Sequence, residues 1–258
     1  MSPCRTLLER IIAPFVVLNS IAQTAGDQQV WPASLKEVIT SGEQLQITPA
    51  IRDFFKHYPG MVLHNQYGPA ETHVCSCETL TGDPDEWPAF PSIGKPIDNA
   101  TMYILDENQE PVPVGAVGEI YIGQITGLGY YQQPELTAEK FVTDPFGSDQ
   151  GERLYRTGDL GRYLPDGSIE FMGRTDFQVK IRGFRVEPGE IESVINVQAG
   201  VKECVVLPID GANNLKQLVA YVVGDIEDSA AFRQELSGHM PDYMVPSFVV
   251  PIDKIPVT

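Results

Sequence analysis

Three short runs of this chain hold residue types that could do chemistry together. The first is His64-Asn-Gln-Tyr-Gly-Pro-Ala-Glu-Thr-His73. Its Gly68-Pro69 pair forces a rigid turn. Beside that turn stand an aromatic that can stack on a flat base, Tyr67, an amide that can read one, Asn65, and a carboxylate that can hold a divalent cation, Glu71. The second run is Tyr155-Arg-Thr-Gly-Asp-Leu160. A carboxylate after Thr-Gly at a strand-to-turn junction, here Asp159, can accept both hydroxyls of a ribose. The third is the charged stretch Gly173-Arg-Thr-Asp-Phe-Gln-Val-Lys-Ile-Arg-Gly183. Each run has a plainer alternative. Tyr67 can pack its own turn, Asp159 can be a turn or cap residue, and the third run can be an ordinary interdomain linker.

The elements that would position these residues can be read from periodicity. Apolar residues at Ile11, Ile12, Phe15, Leu18, Ile21 and Ala22 have helix-like spacing, with the helix starting at Pro14. Leu35 to Ile39 reads as a short strand. Thr48-Pro49 reads as a helix start, a capping hydroxyl followed by proline, with Ile51, Phe54 and Phe55 on its apolar face. Met61 to His64 is a strand that feeds the Tyr67 loop. From Ala100 the pattern turns to hairpins. Thr101–Leu105 and Glu119–Ile122 are predicted strands, Leu136–Phe141 a helix capped by Thr137, and Tyr163–Phe171 two strands about an Asp-Gly turn. Val179 to Arg182 carries no turn signal. Beyond it Pro188 opens a helix bearing Ile191, Val194 and Ile195. Strands at Cys204–Leu207 and Leu218–Val223, a helix from Ser229 to about Gly238, and Phe248–Ile252 complete a small α+β unit. The predicted boundary lies near Thr175–Phe177, giving domains 1–175 and 176–258.

With 258 residues and 42% hydrophobic content, the chain can bury one good core or two modest ones. The formal net charge is -17 and no basic run exists, which disfavours a nucleic-acid or acidic-membrane partner. An anionic ligand would need local Arg, Lys, backbone N–H groups or a metal against that field. Of Cys4, Cys75, Cys77 and Cys204, the Cys75-Ser-Cys77 pair lacks a second pair at metal-ligand spacing. Buried reduced thiols are the expectation. There is no apolar run of ~18 residues and no signal-peptide pattern, so a cytoplasmic protein is expected.

The three motifs, in this order, resemble the adenylate-forming superfamily, and within it the adenylation domains of nonribosomal peptide synthetases. The resemblance covers residues 9 to 258. It implies an α/β and α+β fold: the C-terminal half of a large core, with a mixed sheet and a small β-barrel-like subdomain, then a small mobile domain. It implies ATP and Mg2+, an amino-acid substrate, and phosphopantetheine on a peptidyl carrier domain, with a neighbouring condensation domain in the parent synthetase. Nucleotide-binding positions fall at Asn65, Gln66, Tyr67, Gly68, Glu71, Asp159 and Arg174. Asn65 would read the adenine edge, Glu71 would coordinate Mg2+, Asp159 would hold the ribose as a solvent-facing residue, and Arg174 would reach the ribose and phosphates. Asp176 matches the hinge. Lys180, Arg182 and Gly183 match the stretch facing the incoming pantetheine thiol, with Gly183 allowing close backbone approach. Substrate-pocket walls fall at Phe15, Ile39, Ser41, Gly42, Gln66, Val74 and Cys75, which suits a medium, uncharged side chain. Ordinary core packing is the alternative for each.

The chain also departs from the family pattern. Ala70 stands where a threonine usually contacts the α-phosphate, a loss of about 1 kcal/mol net unless Thr72 or a water substitutes. Tyr121–Tyr130 lacks an expected arginine and is one residue short. The glycine-rich phosphate loop is missing, and the final catalytic lysine lies beyond Thr258. The expectation is therefore a domain truncated at both ends and inactive alone, exposing Phe15, Phe54 or Phe55. The alternatives are an acyl- or aryl-acid CoA ligase of the same superfamily and a non-catalytic module that binds nucleotide or carrier.

Overall fold

The computed structural model describes residues 8–31, 34–147, 151–176, 178–181, 183–211, 216–226 and 228–256. Two residues of the third motif, Phe177 and Arg182, lie outside the described residues. The chain divides into two compact units, Met1–Thr175 and Asp176–Thr258.

The first unit opens with β1 (Arg10–Ile12), α1 (Phe15–Gln28), β2 (Glu37–Ser41), α2 (Pro49–Lys56), β3 (Val62–Tyr67), β4 (Ser76–Leu80) and β5 (Lys95–Pro96). They build one sheet in the order β1-β2-β3-β4-β5. Its first three strands are parallel, with a helix in each crossover, and the last two run antiparallel. Ile11 and Ile12 belong to β1, not to the helix their spacing suggests. Proline cannot continue a helix from within. Pro14 therefore starts α1 and leaves the preceding residues to pair with β2. At α2 the Thr48 hydroxyl accepts from Ile51 N–H at 3.3 Å, the expected cap.

Helices α1 and α2 pack on each other and on one face of this sheet, around Leu18, Val38, Ile51 and Leu63. Phe15, Phe54 and Phe55, expected at an exposed surface, are 8%, 0% and 3% exposed. The correction has a simple cause: the two helices pack on each other, and Trp87 and Trp31 close over Phe55 and Phe54, with ring centroids 5.0 and 6.0 Å apart.

The second sheet is formed by β6 (Thr101–Leu105), β7 (Gly118–Gly123), β8 (Phe141–Thr143), β9 (Arg153–Tyr163) and β10 (Ile169–Arg174). Its order is β10-β9-β7-β6, with β8 also on β9, all antiparallel. This is the expected barrel-like subdomain, but among the described residues it remains open, with no pairing between β6 and β10. Helix α3 (Pro134–Lys140) precedes β8. Thr137 does not cap it. It sits inside the helix and donates back to Gln133 O at 2.8 Å. The bridge between Gly94 and Ile169 joins the two sheets.

The second unit contains the hairpin β11 (Val179–Ile181) and β12 (Phe184–Val186). It continues with α4 (Pro188–Asn196), β13 (Val201–Asp210), β14 (Lys216–Gly224), α5 (Ser229–Leu236) and β15 (Phe248–Ile252). Strands β13-β14-β15 form one sheet. Ile191 and Ile195 of α4 and Phe232 and Leu236 of α5 pack with Cys204, Val206, Ala220 and Val222. The turn after Ile181, which no local signal marks, is made at Gly183, whose φ of 83° suits a tight hairpin. Gly183 thus has a local conformational reason to be glycine, beyond the close approach that the resemblance implies. Among the described residues no helix is long and apolar enough to cross a membrane.

Candidate nucleotide site

The site is built at the C-terminal end of β3. Side chains alternate across a strand, so consecutive residues of the first motif cannot all face one ligand. Asn65 and Tyr67 share the face of β3 that carries Leu63 and the helices. Gln66 lies on the opposite face, beside Ser41 of β2 in the parallel register. Asn65 is buried, and its amide donates to Ser92 O at 2.8 Å. The chain then turns sharply. A Cβ at Gly68 would stand 1.7 Å from His73 O, so only glycine closes this loop. Thr72, the candidate substitute for the hydroxyl absent at Ala70, is buried and donates to His73 O at 3.3 Å. It serves the loop.

Tyr67, expected as an exposed stacking platform, is 7% exposed and packs with Phe171, ring centroids 6.4 Å apart. Its hydroxyl donates to Asp159 Oδ2 at 2.5 Å. Burial, then the neighbouring Asp159 charge, pushes the Tyr67 phenol well above its ordinary range. The other Asp159 oxygen, Oδ1, accepts from Arg174 Nη1, whose Nη2 also donates to Thr157 O at 3.2 Å. Asp159 is 6% exposed. The aspartate expected to face solvent is therefore the buried centre of a Tyr67–Asp159–Arg174 cluster. The strands explain the convergence. Arg174 lies opposite Asp159 in the β9–β10 register, and irregularities between Phe171 and Gly173 and between Glu119 and Tyr121 flank the pair. Gly158 and Gly173 take φ of 74° and 110° there. Such bulges re-aim side chains. The Thr157 hydroxyl completes the turn, donating to Ile120 O at 2.7 Å and accepting from Asp159 N–H at 2.9 Å.

Glu71 is half-buried on the loop after β3. Its Oε1 accepts from Tyr130 OH at 2.7 Å, and Tyr130 OH lies 3.3 Å from Tyr155 OH. Neither tyrosine stands among the site residues that the motifs suggest. A signal was present, since Tyr155 opens the second motif and Tyr130 ends the segment with the missing arginine. Among the described residues no group of three or more His, Cys, Asp or Glu is arranged to hold a metal. A lone carboxylate still fits Mg2+, which is bound through one or two carboxylates, substrate phosphates and water.

The suggested pocket positions separate. Glu37, Ile39 and Ser41 lie on the sheet face away from the helices with His64 and Gln66; His64 Nε2 stands 3.0 Å from Glu37 Oε1. Gly42 follows at φ 91°. Phe15 instead belongs to the helix-side core, and Cys75 is fully buried among Tyr67, Ile93 and Ile120. Burial pushes the Cys75 thiol up to about 12. Val74 is half-buried just before it. In the second unit, Lys180 lies on β11, and Asp176 accepts from Gln178 N–H at 3.2 Å.

Residues 6–131 match the AMP-binding enzyme family, and residues 190–258 match the AMP-binding enzyme C-terminal domain. The chain belongs to this family of adenylate-forming enzymes. Its relatives narrow the class. It is 49% identical over 230 residues to Gramicidin S synthase 2 of Brevibacillus brevis, covering 88% of this chain and 5% of that protein. It is 48% identical over 248 residues to Tyrocidine synthase 2 of Brevibacillus parabrevis, covering 95% of this chain and 7% of the relative. The fold matches holo-PA1221, an NRPS protein containing adenylation and PCP domains bound to a vinylsulfonamide inhibitor. The TM-score is 0.82 at 28% identity, over 97% of this chain and 42% of that one. The chain thus spans a small part of the curated relatives it matches.

Proposed function

We propose that these residues are part of an ATP-dependent amino-acid adenylation domain in nonribosomal peptide synthesis. In the proposed reaction an amino-acid carboxylate oxygen attacks the α-phosphorus of ATP. The bond to pyrophosphate breaks and aminoacyl-AMP forms. A carrier-domain phosphopantetheine thiol then gives up its proton and attacks the acyl carbon, and AMP leaves. Met1–Thr175 would be the C-terminal portion of the large core, and Asp176–Thr258 the small mobile domain.

The observation that carries this reading is the convergence of Tyr67, Asp159 and Arg174, 92 residues apart in sequence at the first pair. An ionised carboxylate has about four lone-pair positions, so Asp159 can accept from ribose hydroxyls while keeping its partners in part. Asn65 and Gly68 would border the adenine and Arg174 would reach the phosphates. Gln66 would serve the amino-acid pocket with Ile39, Ser41 and Gly42. Glu71 would hold Mg2+, which when bound neutralises phosphate charge during displacement. Asp176 would be the hinge, and Lys180, Arg182 and Gly183 would face the carrier thiol.

Amino-acid-dependent ATP–pyrophosphate exchange, run on the polypeptide containing these residues, tests the reading. Exchange with one amino acid or a small group is expected, followed by acyl loading of a phosphopantetheinylated carrier. Exchange with carboxylic acids only, and thioester formation on free CoA, would replace it with the CoA-ligase reading.

A further inference from the structure

We infer that Tyr130, backed by Tyr155, is a positioning residue that fixes the Glu71 carboxylate for metal binding; the inference rests on the proposed role of Glu71. An ionised carboxylate only accepts hydrogen bonds, so Tyr130 donates to Glu71 Oε1 across 2.7 Å. The Tyr155 hydroxyl lies 3.3 Å from that of Tyr130. Tyr155 is 1% exposed, and a buried hydroxyl must find a partner. The two hydroxyls thus tie a strand residue, Tyr155 of β9, and Tyr130 to the loop carboxylate.

The backbone is clamped at the same point. Gly127 N–H donates to Glu71 O at 2.8 Å, and Arg153 Nη2 donates to Gly127 O and Leu128 O, each at 3.2 Å. Tyr130 N–H donates to the Thr137 hydroxyl at 2.9 Å, and Phe141 packs edge-on to the Tyr130 ring at 5.7 Å. The segment from Gly127 to Tyr130 therefore grips Glu71 by main chain and side chain together. Partners of this kind orient metal-ligating carboxylates and tune their affinity.

The test is the affinity for Mn2+ as a paramagnetic stand-in for Mg2+. It is read by electron paramagnetic resonance with ATP present, on the polypeptide containing these residues, with AMP affinity measured alongside. Glu71→Gln should weaken Mn2+ binding strongly. Tyr130→Phe should weaken it about tenfold and leave AMP affinity unchanged. Tyr155→Phe should act in the same direction by less. In the Glu71→Gln background, Tyr130→Phe should add nothing. An unchanged Mn2+ affinity in Tyr130→Phe, with Glu71→Gln weakened, overturns the inference and leaves the Glu71 reading standing. An equal further loss on the Glu71→Gln background also overturns it. Unchanged binding in Glu71→Gln overturns the Glu71 reading itself. If Tyr130→Phe loses AMP binding, Tyr155→Phe decides: weaker Mn2+ with AMP intact supports positioning, and no change defeats it.

Discussion

Asp159 shows how one residue can carry both fold and ligand. It is buried, with one oxygen on the Tyr67 hydroxyl and the other on the Arg174 guanidinium. Removing one member of a buried ion pair leaves the other charge uncompensated. Asp159→Ala should therefore lower folding stability by about 3–5 kcal/mol, read from the urea midpoint, in addition to any loss of nucleotide. A stability equal to the parent would place the pair in solvent. The thiols make a second prediction at this scale. Burial pushes Cys75 and Cys204 up to about 12, while Cys77 is raised but only half-buried. The thiolate is the reactive form, and a thiol at 12 is ionised in roughly one molecule in ten thousand at pH 8. Iodoacetamide at pH 8, followed by peptide mass mapping, should label Cys77 well before Cys75 or Cys204. Equal labelling of Cys75 would mean that the segment before β4 opens readily.

At the scale of elements, two glycines should respond in opposite directions. Gly68 closes the loop after β3 where a Cβ would strike His73 O at 1.7 Å. The obstacle is backbone and cannot rotate away. Gly68→Ala should cost about 1–3 kcal/mol, in the range of overpacking, and displace the loop that carries Glu71. Gly26 lies inside α1, where an added Cβ would meet nothing within 4 Å. There Gly26→Ala should stabilise by about 0.5–1 kcal/mol, because alanine loses less backbone entropy in a helix. Paired chemical denaturation of the two variants checks both signs. If both destabilise equally, the loop closure at Gly68 is looser than its geometry says. Capping follows the same logic on α2: the Thr48 hydroxyl holds Ile51 N–H, so Thr48→Ala should cost about 1 kcal/mol.

At the scale of the molecule, each unit has its own core. The first is built on two sheets and a helix pair, and the second on the β13–β15 sheet with α4 and α5. The hairpin β11–β12 belongs to the second unit, with Ile181 and Val186 in its core. Brief proteinase K digestion should therefore cut first at residues 175–178, ahead of the hairpin, and release a resistant C-terminal piece. Earlier cutting inside β13 or β14 would defeat both the two-unit division and the proposed hinge at Asp176. Separate unfolding transitions by calorimetry are the companion expectation, since two cores need not melt together.

The sequence alone determined what is local. Period-2 and period-3.6 patterns located most strands and helices, Thr48-Pro49 marked a helix start, and Pro14 placed α1 because proline admits few backbone states. The motifs pointed to the family because their residue types stand at fixed spacing on contiguous chain. The tertiary structure decided what depends on distant partners. Exposure of Tyr67 and Asp159 could not be read locally, because the residues that bury them arrive from other strands across 92 positions. Burial of Phe15, Phe54 and Phe55 depended on two helices meeting on one sheet face. Gln66 parted from Asn65 and Tyr67 only once the strand's two faces had different neighbours. Tyr130 became visible as the partner of Glu71 when a loop 59 residues onward folded back to it. A hydrogen bond closed over such a span leaves no periodic trace in the chain, so its partners are known only when the fold brings them together.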